Sequence, residues 1–181
     1  LAVQMYANDN NEWVPVHRVE GNWLWDINRL TADALSAQGA RRKILYCPGL
    51  AASIQDLDLW WELGGGSSTT RRIIGYAWLG ERQGRTRNLV PPRQFISKLS
   101  NVTYTNVTEA ELAVDAIPSR GLTEFDRVPS GIVPFHRAGH ISKKKPAGGN
   151  ILFVDGHAAW RPFKQMDMRY DCQDRDVRFW F

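Results

Sequence analysis

The chain contains no apolar run approaching the ~20 residues that carry a helix across a bilayer, and it opens on Leu1-Ala2-Val3-Gln4-Met5-Tyr6 with neither an initiator methionine nor a signal segment. It has no Gly-x-Ser-x-Gly elbow and no Gly-x-x-x-x-Gly-Lys-Ser/Thr phosphate loop, so the usual local marks of a serine hydrolase or a nucleotide-binding enzyme are missing. No internal repeat is visible at any period. Only two cysteines are present, Cys47 and Cys172, too few for a disulfide scaffold. In an oxidising compartment they would form one long-range disulfide; in a reducing one they would be two buried thiols; Cys47 would equally suit a cysteine upstream of Leu1.

A net charge of +4 raises the question of nucleic acid. The basic residues are scattered, however. Their one tight cluster, Lys143-Lys144-Lys145, lies between His140 and Pro146-Ala147-Gly148-Gly149, where a solvated loop is expected. No basic recognition helix or RNA-binding signature accompanies it, and nucleic acid is not an expected partner.

What is present fits one globular domain over residues 1–181, long enough to bury a core without metals or staples. Eight tryptophans are unusual. Most would fill the core, but Trp13, Trp23, Trp25, Trp60, Trp61 and Trp78 would, if exposed together, make a carbohydrate- or protein-binding surface.

Residues 1–7 read as the last turns of a helix, with Leu1, Val3 and Met5 on its apolar side, ended by Asn8-Asp9-Asn10-Asn11. A second helix is expected from an N-cap at Thr31 to Gly39. Strands are expected at 44–47, 72–79 and 111–116, a short helix at 91–99, and a long loop at 117–149. Asp155-Gly156 sits between two apolar runs and reads as a two-residue hairpin turn. That register sets Val154 opposite His157, Phe153 opposite Ala158 and Ile151 opposite Trp160, with Ile151, Phe153, Ala158 and Trp160 on a core face. The closing Val177-Arg178-Phe179-Trp180-Phe181 is too apolar for a free tail and should dock as a last strand. Helices early and strands late argue for an α+β fold with an antiparallel sheet.

The stretch Gly148-Gly149-Asn150-Ile151-Leu152-Phe153-Val154-Asp155-Gly156-His157 resembles the H-X9-DG domain of bacterial prepilin-type proteins. Residues 1–9 look like the end of a pilin-type N-terminal helix, and Tyr46-Cys47-Pro48 takes a central position typical of such proteins. His140 is the better match to the motif histidine beside Asp155 and Gly156, although fourteen residues intervene rather than nine. The resemblance implies a non-catalytic subunit of a type II secretion pseudopilus, pilus-like or cell-surface assembly, a pilin-like head facing the periplasm or exterior. It further implies a cleaved leader, an inner-membrane anchor helix continuing upstream of Leu1, and other pilin-like subunits as partners.

Cofactors are not required by this reading. A zinc site would need His136, His140, Asp155 and His157 to converge, whereas the Asp-Gly turn already accounts for Asp155 and His157. Asp167, Asp171, Asp174 and Asp176 do not match an EF-hand calcium loop and read as a solvated acidic turn or as partners for Arg169 and Arg175. Asn101-Val102-Thr103 and Asn106-Val107-Thr108 match the glycosylation sequon by chance.

Overall fold

The computed structural model describes residues 1–15, 23–50, 57–63, 71–82, 88–90, 94–100, 107–129 and 135–181. Among them the chain is α+β, with short helices set against antiparallel sheets, as the order of elements in the sequence implies.

Helix α1 (Ala2–Asp9) ends where expected: Asn10 donates its side-chain amide to the Tyr6 carbonyl at 2.8 Å, and Asn11 and Glu12 turn into the left-handed region. Its buried stripe is Val3 and Ala7, one helical turn apart. Leu1 (85 % exposed) and Met5 (41 %) share a different stripe facing outward, contrary to the expected apolar side. After strand β1 (Asp26–Asn28), helix α2 (Arg29–Ala37) is capped by Asn28, whose side-chain oxygen accepts the Thr31 amide at 2.6 Å. Thr31 is therefore the capped residue, not the cap. Gly39, at φ 87°, leads the chain out of the helix.

The expected strand at 44–47 is instead a 3-10 turn, Arg42–Leu45, and a second one follows at Pro48–Leu50. Helix α3 (Leu57–Trp61) comes next. The expected strand at 72–79 divides into β2 (Arg71–Ile73) and β3 (Tyr76–Trp78), because Gly75 sits against the Cys47 backbone and gives its amide to Leu45. Of the helix expected at 91–99, residues 91–93 lie outside the described set, as do 101–106 of the two sequons. Residues 94–99 form isolated bridges and turns in place of a helix, Ile96 bridging Gly80 and Lys98 bridging Trp13, which buries Ile96 fully in the core.

Strand β4 (Glu111–Asp115) matches its expected place. The stretch read as a loop contains five short strands: β5 (Pro118–Arg120), β6 (Val128–Pro129), β7 (Phe135–His136), β8 (Ile141–Ser142) and β9 (Lys145–Pro146). Strands β8 and β9 form a small hairpin turning through Lys143 and Lys144, both at positive φ, and this hairpin fills the extra spacing between His140 and Asp155. The main sheet runs β11-β10-β4-β3, built from β10 (Gly148–Phe153) and β11 (Ala158–Pro162) beside the earlier strands. A second sheet has the order β12-β13-β5, with β12 (Met168–Asp171) and β13 (Val177–Trp180); the C-terminal strand docks between its neighbours, and Phe181 is buried.

The β10–β11 hairpin exists but its register is shifted by one. Leu152 faces Ala158, Ile151 faces Ala159 and Asn150 faces Trp160. The turn has three residues: the Gly156 amide donates to the Phe153 carbonyl, the Phe153 amide donates to His157, and Gly156 alone adopts positive φ (94°). This is a type I turn with a glycine bulge rather than the two-residue form. A one-residue slip exchanges faces, so Trp160 stands opposite the Ile151 and Phe153 face and is 47 % exposed.

Candidate functional site

Three buried or half-buried side chains from distant segments converge at one end of the main sheet. Cys47 comes from the link between the two 3-10 turns, Asp115 from the end of β4, and His140 from the residue before β8. His140 Nε2 lies 2.9 Å from Asp115 Oδ2 and 3.3 Å from Cys47 Sγ. Asp115 Oδ2 also accepts the Asn150 backbone amide at 2.7 Å and its side-chain amide at 2.8 Å.

Backbone hydrogen bonds explain the convergence. The Gly75 amide donates to Leu45, the Ala116 amide to Gly75, and the Gly139 amide to Ala116, tying the residues next to Cys47, Asp115 and His140 in one row. Glycines allow the approach. A β-carbon on Gly49 would touch the His140 ring at 3.0 Å, one on Gly75 would lie 2.3 Å from the Cys47 amide nitrogen, and one on Gly149 would lie 3.1 Å from the Asp115 side chain. His140 itself holds φ 53°, a left-handed backbone that costs free energy outside glycine. Trp160 meets the His140 ring edge-on at 5.1 Å.

Electrostatically the pocket is short of positive charge. The Asp115 side chain is 2 % exposed, and among the described residues no lysine or arginine pairs with it. Burial, reinforced by Asp115, pushes the Cys47 thiol up to about 12, and burial with the same two neighbours raises Tyr76 to about 12. Sulfur and carboxylate both address Nε2. A nucleophilic relay needs the carboxylate on one ring nitrogen and the nucleophile on the other, so these three residues do not have the geometry of a relay.

The residues singled out from sequence do not converge. His136, on β7, is enclosed by the rings of Trp25 (4.6 Å), Trp60 (5.2 Å) and Trp23 (5.7 Å). Burial lowers its pKa to about 4, and its Nδ1 has no hydrogen-bond partner among the described residues. His157 and Asp155 form their own pair at the hairpin tip, 2.6 Å apart, with the Asp155 carboxyl held low by the His157 amide. His140 thus separates from the Asp155-Gly156 turn: its job is at the far end of β10, against Asp115 and Asn150. Cys47 and Cys172 are both free and buried rather than paired, and burial together with Asp26 and Asp171 raises Cys172 well above its ordinary value. Asp167, Asp171, Asp174 and Asp176 are taken by Arg169, Arg178, Arg175 and Arg178 respectively, as ion pairs. Of the six tryptophans considered for a binding surface, Trp23, Trp25, Trp60 and Trp78 are buried, leaving Trp13 exposed and Trp61 partly so.

Asp115 was legible only as a strand residue. The pointers to the cluster were Tyr46-Cys47-Pro48 and the motif histidine, each adjoining a glycine, but nothing local joins them to Asp115.

Comparison with protein-family models, with curated proteins and with solved structures finds no match.

Proposed function

We propose that the chain is a non-catalytic structural subunit of a pilin-like assembly in a bacterial cell envelope. The observation that carries the reading is the seat of α1. Beside its first turn, an apolar groove of about 300 Å³ runs over the main sheet, lined among others by Leu1, Val3, Leu35, Ile44, Ile151 and Leu152. Helix α1 packs against α2, and the apolar groove between its first turn and the main sheet suits lateral packing of another apolar helix. The resemblance of residues 1–9, Tyr46-Cys47-Pro48 and the Asp155-Gly156 stretch to prepilin-type proteins supports the same reading, with periplasmic or surface exposure, inner-membrane anchoring and other pilin-like subunits as partners.

Cysteine cross-linking in the source cell tests it. Both native thiols are buried, so Ile44→Cys, at a position 59 % exposed beside the groove, supplies the reactive one. The expected result is an envelope-associated protein that cross-links into a ladder of multimers. A cytosolic, uniformly monomeric protein would overturn the proposal.

A further inference from the structure

We propose that Cys47 Sγ, a carboxylate oxygen of Asp115 and His140 Nε2 bind a single Zn²⁺ ion. The three ligand atoms lie within 4.8 Å of one another, and they offer one soft thiolate, one imidazole and one carboxylate. That mixture suits zinc and excludes calcium or magnesium, which take oxygen ligands. Zinc bonds of about 2.0–2.3 Å arranged tetrahedrally separate neighbouring ligand atoms by roughly 3.3–3.6 Å. The observed 2.9 and 3.3 Å therefore need to open by about half an ångström or less, within reach of rotamer adjustment.

Three features beyond proximity favour an ion. The carboxylate is buried and no lysine or arginine pairs with it among the described residues, and a divalent cation supplies positive charge there. The backbone and side-chain amides of Asn150 both donate to Asp115 Oδ2 and fix the carboxylate in place, as outer hydrogen bonds fix a metal's carboxylate ligand. The backbone row through Leu45, Gly75, Ala116 and Gly139 presets the three ligands before any ion arrives.

On binding, the Cys47 proton leaves to solvent as the Zn–S bond forms. His140 takes its Nδ1–H tautomer, so that the Nε2 lone pair faces the metal. The fourth position takes water from the His140 side, the most exposed of the three ligands. The ion would join the turn at Cys47, the end of β4 and the loop before β8, none of which are neighbours in sequence.

Cobalt(II) substitution of the whole folded chain tests the assignment without needing a variant. The expected result is one Co²⁺ per chain, displaced by Zn²⁺, with a thiolate-to-cobalt charge-transfer absorption. Cys47→Ser should abolish that absorption. Asp115→Asn and His140→Asn should each weaken zinc binding by more than roughly 100-fold in a chelator competition, since losing a group that bonds the ion costs more than losing one that only orients such a group. His157→Ala and Cys172→Ser should leave both readouts unchanged. Absence of the charge-transfer band in folded protein, its survival in Cys47→Ser, or its loss with His157→Ala would each overturn the proposal. The outcome is independent of whether the chain assembles into filaments.

Discussion

Gly75 and Cys47 are in backbone contact: a β-carbon at position 75 would stand 2.3 Å from the Cys47 amide nitrogen and 2.9 Å from Tyr46 Cα. Backbone cannot swing aside as a side chain can. Gly75→Ala is therefore expected to destabilise the fold by about 3 kcal/mol, at the upper end of overpacking costs. Urea denaturation measures it; a change under about 1 kcal/mol would show that the 3-10 turn yields freely.

The hairpin turn makes a smaller demand. Gly156 adopts φ 94°, and the nearest obstacle to a β-carbon is the flexible Gln4 side chain at 3.0 Å. Gly156→Ala should cost about 1 kcal/mol, set by conformation rather than by space. Gly156→Asn should cost less, since asparagine tolerates the left-handed region. Equal losses for the two variants would contradict the three-residue turn.

Glu111 and Arg161 form an ion pair across the main sheet at 2.7 Å, with the Glu111 side chain fully buried and Arg161 mostly so. Removing the guanidinium alone leaves a buried carboxylate without its cation. Arg161→Met should therefore lose about 3 kcal/mol, and the double variant with Glu111→Gln should recover most of it. Additive losses in the thermodynamic cycle would show that the pair is uncoupled.

His136 makes stability depend on pH. Its folded-state pKa, about 4, lies below the ordinary 6.5, so the neutral ring favours folding. The contribution is complete above pH 6.5 and lost as pH falls through the window towards 4, a difference of about 3 kcal/mol. Asp26 works in the opposite sense. Burial raises it from 3.8 to about 6, so its protonated form favours folding, fully below pH 3.8 and no longer as pH rises through 6. The stability difference between the wild type and His136→Phe isolates the histidine. It should shift by about 3 kcal/mol towards the variant between pH 7 and pH 4. A pH-independent difference would mean that the Trp23, Trp25 and Trp60 cage admits water.

The parts of the fold that were readable from sequence rest on local physics. Helix α1 stops at the asparagine run, α2 stops at Gly39, β4 carries its apolar pattern, and the apolar C-terminal residues dock as β13. The errors share a cause as well. Residues 44–47 have the composition of a strand, but among the described residues no partner strand lies beside them, and Gly75 takes the Leu45 carbonyl instead. In the hairpin, Asp-Gly announces a turn without stating its length, and the difference of one residue moved Trp160 to the opposite face. The candidate histidines lie near one another in sequence, yet His136 is enclosed by tryptophans and His157 belongs to its own turn.

Sequence alone determined the α+β class, the ends of the first two helices, and the presence of a hairpin at Asp155-Gly156, because each depends on side chains acting on backbone a few residues away. Tertiary structure decided the hairpin register, the separate burial of the two thiols, and the meeting of Cys47 with His140, 93 positions apart, at Asp115. That meeting follows from backbone hydrogen bonds between segments that become neighbours only when the core closes, and no local pattern encodes those.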